Sequence, residues 1–124
     1  MHPKDAIGRY GEQLAAHHLH RSGLTLLARN WRCAEGEVDI VARDGDVLVF
    51  CEVKTRSSTA FGWPAEAVGS AKAARLRRLA ACYLAEQRPM MIRRGFWADV
   101  RFDVVSIVHE RSGVDQVEHL RGVL

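Results

Sequence analysis

The stretch that most constrains this chain is a pair of alternating segments on either side of one turn signal. Glu37 to Arg43 alternates polar and apolar side chains, Asp44-Gly45 follows, and Val47 to Thr55 forms a second β-prone run. Asp-Gly between two such segments is a strong hairpin signal. Side chains alternate faces along a strand. Glu37, Asp39 and Val41 therefore share one face of the first strand, and Val38, Ile40 and Ala42 the other. On the partner strand Leu48, Phe50, Glu52 and Lys54 share a face, opposite Val49, Cys51 and Val53. A two-residue turn at Asp44-Gly45 pairs Arg43 with Asp46, Asp39 with Phe50, and Glu37 with Glu52. Asp39 and Glu52 are then diagonal neighbours on one face, with Cβ atoms up to ~7 Å apart. An odd-length turn would put them on opposite faces.

That face is chemically unusual. Glu37, Asp39 and Glu52 crowd it with Lys54 alone to offset them, and Glu37 opposite Glu52 is repulsive unless a cation or proton intervenes. Leu48, Phe50 and Val41 share it, so it should lie under a helix, where carboxylates need partners. Two carboxylates reaching inward from that separation can share one divalent cation at ~2.1 Å per ligand. The plainer alternative is a solvated polar face with Lys54 paired to Glu52 or Glu37.

Around the hairpin the pattern reads as α/β. A helix is expected from about Ala6 to His20, with Ile7, Tyr10, Leu14 and His18 or Leu19 at helical spacing. Gly8, Gly11 and Ala15 form a small-residue patch on its inner side, and Gly23 is a good stop. Leu24 to Trp31 reads as a short strand. After a loop from Arg56 to Trp63 and a helical turn at Pro64, Ser70 can cap a long helix to about Arg88, with Leu76, Leu79, Tyr83 and Leu84 inward and Pro89 ending it. Val100 to Val108 is a fourth strand, and Val114 to Leu120 a weak last one. The order is αβββαβ(β), a mixed sheet flanked by helices.

At 124 residues the chain is one domain, residues 1–124, and 48% hydrophobic with 27% charged residues is an ordinary globular balance. No apolar run reaches the ~18 residues of a membrane span, and the first ten residues lack the apolar core of a signal peptide. Cys33, Cys51 and Cys82 form no CxxC pair, which argues against a zinc ribbon or a disulfide framework and for the cytoplasm. The net charge is only +3, yet of the 18 basic residues just Lys4, Lys54 and Lys72 are lysine. Arginine forks suit phosphate.

Glu-Val-Asp-Ile-Val-Ala, a turn, then Val-Phe-Cys-Glu-Val-Lys-Thr-Arg resembles the PD-(D/E)xK nuclease core of Holliday-junction resolvases and RecB-type nuclease domains. Over the whole chain the sequence resembles the YraN-like family of bacterial proteins. The matching blocks are Gly-Arg-Tyr-Gly-Glu (8–12), Gly-Glu-Val-Asp-Ile-Val-Ala (36–42), Val-Phe-Cys-Glu-Val-Lys-Thr-Arg (49–56), Phe-Gly-Trp-Pro (61–64) and Arg-Phe-Asp-Val-Val (101–105). The resemblance implies a restriction-endonuclease-like αβββαβ core and a Mg²⁺- or Mn²⁺-dependent nuclease acting on DNA or RNA. It implies that Asp39 and Glu52 bind the metal, with the Val53 carbonyl as a third ligand. Lys54 would position or activate the attacking water, and Glu12 would add an acidic group from the first helix. Val38-Asp39 stands in place of Pro-Asp, and Cys51 where the family more often has Val. Related resolvases are dimers, which extends to a homodimer here by analogy only. The rival reading is a non-catalytic nucleic-acid-binding or partner-binding module on the same fold.

Lys72 begins the inward stripe of the second helix, so it needs an anion there, either a site carboxylate or a phosphate, unless it snorkels at the helix end. Arg56, Arg75 and Arg78, with Arg77, Arg93 and Arg94, are candidates to track phosphates. Asp103, amid apolar neighbours, reads as one half of a structural ion pair. Trp31, Phe61 and Trp63 read as packing residues rather than base-stacking ones. His17, His18 and His20 lack the partners for a zinc site.

Overall fold

A computed structural model describes residues 3–56, 70–94, 97–109 and 113–123. The chain runs α1 (Pro3–Arg21), β1 (Thr25–Cys33), β2 (Gly36–Asp44), β3 (Val47–Arg56), α2 (Ser70–Arg94), β4 (Asp99–Val108) and β5 (Gln116–Leu120). The five strands form one mixed sheet in the order β1-β2-β3-β4-β5, with β3 and β4 parallel and the other pairs antiparallel. The parallel pair needs a crossover, and α2 supplies it. This is the α/β, αβββαβ arrangement expected, with β5 added at the edge.

Strand alternation sorts the core into two clusters. Ile40, Ala42, Val49, Cys51, Val105 and Ile107 pack with Ala15, Ala16 and Leu19 of α1. Val41, Leu48 and Phe50 pack with Leu76, Leu79, Ala80 and Tyr83 of α2. The helices therefore cover opposite faces, and the face carrying Leu48 and Phe50 does lie under a helix.

Several local details differ from the sequence reading. Tyr10 is not inward: it is 44% exposed, and its hydroxyl donates to Asp115. The inner edge of α1 is instead Gly11, Ala15 and Leu19. Gly23, at φ +97°, ends α1: Leu24 N–H donates to Leu19 C=O at 3.1 Å and Gly23 N–H to His20 C=O at 3.0 Å, satisfying two of the last carbonyls. Pro89 does not end α2, which continues to Arg94. A proline removes one helical hydrogen bond, and here the helix-forming residues on either side, Ala85 to Gln87 and Met90 to Met91, carry the helix past it. Trp31 meets Tyr83 edge-on at 5.3 Å, the packing role expected of it. Phe61, Trp63 and Pro64 lie outside the described residues.

Only one of the paired glycines in α1 makes the close approach. A Cβ on Gly11 would collide with Thr55 Oγ1 of β3, whereas a Cβ on Gly8 meets nothing within 4 Å. Alanine is preferred over glycine in a helix by up to ~1 kcal/mol. Gly8→Ala should therefore stabilise by up to that amount, while Gly11→Ala should destabilise by about 1–3 kcal/mol through overpacking. Urea melts of the two variants check the opposite signs.

Candidate functional site

The site forms where two neighbouring strands part. The β2–β3 ladder runs from Asp44↔Val47 to Ile40↔Cys51 and stops. Beyond that point β2 continues along β1 as far as Cys33↔Gly36, and β3 continues along β4 as far as Arg56↔Val108. In the fork, the Val53 N–H donates to Asp39 Oδ2 at 2.8 Å, so a side chain replaces the missing rung of the ladder.

The hairpin turn is Gly45-Asp46, not Asp44-Gly45, and Gly45 takes φ +61°. The pairing is therefore displaced by two residues from the one read in the sequence. A displacement of two preserves faces, and Asp39 comes beside the Glu52–Val53 segment instead of opposite Phe50. Glu37 is not opposite Glu52. It faces Arg32 of β1, with Arg32 Nη2 3.2 Å from Glu37 Oε2. Strict alternation also fails in β2, because Val38 packs with Val41 under α2 and not with Ile40. The break falls at Asp39–Ile40, where β2 leaves β3.

Glu52 is the centre of charge. Its Oε1 receives Lys72 Nζ of α2 at 2.7 Å and Lys54 Nζ at 3.5 Å, while its Oε2 is buried and has no hydrogen-bond partner among the described residues. The anion sought by Lys72 is thus a site carboxylate. Burial pushes the Asp39 carboxyl up to about 6; the Val53 amide opposes this, and the negative charges of Glu12, Glu52 and Glu37 add to it. Glu12 of α1 is therefore close enough for its charge to be felt at Asp39. Burial also lowers the Lys54 ammonium below the usual lysine range, with Lys72 adding to the effect and Glu52 opposing it.

The structure thus gathers Asp39, Glu52, Lys54 and Lys72 from β2, β3 and α2 around one fork, with the charge of Glu12 on α1 felt at Asp39. Among the described residues no three His, Cys, Asp or Glu side chains are clustered as a ready-made metal cage. Arg78 is not brought to the site: its Nε pairs with Glu35 at 3.2 Å, by the β1–β2 turn. Arg75 is exposed on α2 and Arg56 half-buried at the end of β3.

Asp39 makes stability depend on pH. Its carboxyl binds a proton more tightly folded, at about 6, than at its ordinary 3.8. Between those values the folded state holds a proton that the unfolded chain has released, so stability falls as pH rises through the window. Asp39→Asn keeps an acceptor for Val53 and removes the charge. In EDTA it should match wild type near pH 4 and exceed it above pH 6 by about 1–3 kcal/mol. Urea melts at half-unit pH steps test this, and parallel curves would refute it.

A second polar cluster occupies the α1 side of the sheet. Asp103 is fully buried and is held bidentately by Arg101, at 2.9 and 3.1 Å, by His119 Nε2 at 2.6 Å and by the Gly122 N–H at 2.9 Å. Arg101 also reaches Asp44 at 3.0 Å. Burial works against the Asp103 charge, but His119, Arg101 and Gly122 together hold its carboxyl below the usual range. The structural ion pair read for Asp103 is present. The sequence reading missed His119, which comes from β5, the strand with the weakest sequence signal.

Fold and site together define an α/β protein with a forked mixed sheet and a carboxylate–lysine centre in the fork. The sequence matches the Uncharacterised protein family UPF0102 over residues 11–107, and the chain belongs to that family. A UPF0102 protein of Beutenbergia cavernae is 56% identical over 123 residues, covering 99% of each chain. One of Frankia alni is 56% identical over 122 residues, covering 98% of this chain and 97% of its own. Another, of a Nocardioides species, is 54% identical over 120 residues, covering 97% and 92%. Among the described residues no helix is long and apolar enough to cross a membrane.

Proposed function

We propose that this protein is a Mg²⁺- or Mn²⁺-dependent nuclease that hydrolyses phosphodiester bonds of nucleic acid, most simply DNA. The observation that carries the reading is Glu52 Oε2, a buried carboxylate oxygen without a partner among the described residues. Such an atom is costly to leave unpaired, and a cation would satisfy it. Asp39 lies across the fork with a carboxyl that burial makes expensive to ionise, and a cation relieves that cost too. Mg²⁺ is commonly held by one or two carboxylates and otherwise keeps water, so the pair fits it without a larger cage. Asp39 and Glu52 would hold the metal, with the Val53 carbonyl as the third ligand that the resemblance implies. When bound, the metal supplies positive charge to the phosphate and lowers the pKa of water.

The chain's own residues do the rest. The Val53 N–H fixes Asp39, so the carboxylate is oriented before any ligand arrives. Lys54 sits beside Glu52 with its ammonium destabilised by burial, which suits a group that orients a water and stabilises developing negative charge. Glu12 reinforces the negative potential that draws a divalent cation. Arg56, half-buried at the end of β3, and Arg75, exposed on α2, would meet the substrate backbone. Cys33, Cys51 and Cys82 are free thiols, in keeping with a cytoplasmic protein.

Incubation with Mg²⁺ or Mn²⁺ over single-stranded, duplex, flap and four-way-junction substrates tests the reading, with Asp39→Asn as control. Cleavage by wild type and not by the variant supports it. Metal-independent or variant-insensitive cleavage would refute it, and metal-dependent binding without cleavage would favour the non-catalytic nucleic-acid-binding module.

A further inference from the structure

Two ammonium groups from different elements converge on the same oxygen of one carboxylate. Lys72 Nζ lies 2.7 Å and Lys54 Nζ 3.5 Å from Glu52 Oε1, with Oε2 of the same group buried and without a partner among the described residues. The three side chains are mostly enclosed, at 21% exposure for Lys72, 30% for Lys54 and 12% for Glu52. One carboxylate cannot neutralise two ammonium ions and also hold a divalent cation, because like charges a few ångströms apart repel strongly where water is scarce. One lysine has to leave when the cation enters.

Lys54 stands on β3 next to Glu52, and its ammonium is the more distant of the two, so Lys72 is the one that occupies the place a cation would take. Lys72 stands on α2 and reaches Glu52 through a flexible four-carbon stem, so it can withdraw without moving a strand. It lies in the first turn of α2, a helix of 25 residues whose first turn carries no acidic side chain. A lysine there adds to the partial positive charge of the helix N-terminus. Among the described residues no other anion is paired with Lys72 once Glu52 is occupied, and a phosphate at a helix N-terminus supplies one.

We propose that Lys72 couples metal binding to nucleic-acid binding. Without metal its ammonium stands in for the cation at Glu52. When a divalent cation takes Glu52, Lys72 is displaced and pairs with a phosphate of the substrate. This rests on the nuclease reading for the identity of the two ligands. It goes further by giving Lys72 effects of opposite sign on each: it weakens metal binding alone and strengthens phosphate binding when metal is present.

The test compares wild type, Lys72→Met and Lys72→Arg. Mn²⁺ affinity is measured from the free-ion electron paramagnetic resonance signal, with no nucleic acid present. Affinity for fluorescein-labelled single-stranded and duplex DNA is measured by anisotropy in EDTA and in Ca²⁺, which loads carboxylate sites. Lys72→Met should bind Mn²⁺ about threefold or more tightly than wild type, whereas Ca²⁺ should enhance its DNA affinity several-fold less. Lys72→Arg, which keeps the charge, should behave as wild type and controls for folding. Weaker Mn²⁺ binding by Lys72→Met would overturn the proposal and make Lys72 a residue that merely positions Glu52. An unchanged Ca²⁺ enhancement would overturn it as well. Wild type that binds no Mn²⁺ would overturn both this and the nuclease reading. The expected pattern without cleavage of any substrate would sustain the coupling and defeat the nuclease reading alone.

Discussion

Glu52→Gln should lower the proposed metal-dependent cleavage by about a hundredfold or more, the scale on which removing one preorganised electrostatic group acts on a transition state. Asp39→Asn and Lys54→Ala should each do the same, but the three variants separate in what else they lose. Glu52 holds both lysines. Its neutralisation strands two partly buried ammonium groups, so the metal-free protein should also lose about 1–2 kcal/mol. Asp39→Asn removes a charge that burial already disfavours, so metal-free stability at pH 7 should rise. Lys54→Ala should leave the stabilisation by Mn²⁺ in place, since Lys54 is not among the proposed ligands, whereas both carboxylate variants should remove most of it through linkage. Steady-state cleavage rates paired with thermal melts in EDTA and in Mn²⁺ read out all three. Equal melts for Glu52→Gln and Asp39→Asn in EDTA would show that the lysine–carboxylate contact contributes nothing to the fold.

The hairpin shows why the sequence was legible about faces and not about partners. The inward set Leu48, Phe50 and Glu52 follows from period-two alternation and survives a displacement of two residues. The partner of Glu52 does not survive it, because Asp-Gly can enter a two-residue turn with either residue in first place. Here Arg43 Nε bonds the Gly45 carbonyl at 2.7 Å, and Gly45 occupies the first central position. Glu37, expected against Glu52, consequently meets Arg32 of β1. The fork was invisible for a different reason. It exists because β2 follows β1 while β3 follows β4, a competition between non-local pairings that leaves no local mark. Its single trace in the sequence is Val38 beside Asp39, which fits the α2 cluster only after alternation has broken. Lys72 lay between these extremes, since helical spacing placed it inward and left two kinds of anion open. Pro89 misled because a proline's cost is local, the loss of one helical hydrogen bond, and α2 continues past it to Arg94.

Asp103 carries the other large expected effect, and this one concerns the fold. Its neighbours Arg101 and Phe102 alternate with it along β4, so Arg101 shares its face and grips it from the same strand, while His119 and Gly122 come from β5 and the turn beyond. A fully buried carboxylate thus joins the last strand of the sheet to the fourth by charge and hydrogen bonds rather than by apolar packing. Asp103→Ala should cost about 3–5 kcal/mol, because it leaves Arg101 and His119 without their anion in a dry setting and the Gly122 N–H without an acceptor. For a domain of this size that is a fall of roughly 10–20 °C in Tm. Asp103→Asn keeps some acceptor capacity and should cost less than Asp103→Ala. Asp103 also faces α1, whereas Glu52 faces α2, so Asp103→Asn should keep whatever rise in Tm Mn²⁺ gives the wild type. Circular dichroism melts with and without Mn²⁺ measure both quantities. A fall in Tm of only a degree or two for Asp103→Ala would mean that Arg101, still paired with Asp44 at 3.0 Å, finds enough charge there to hold β5 without Asp103.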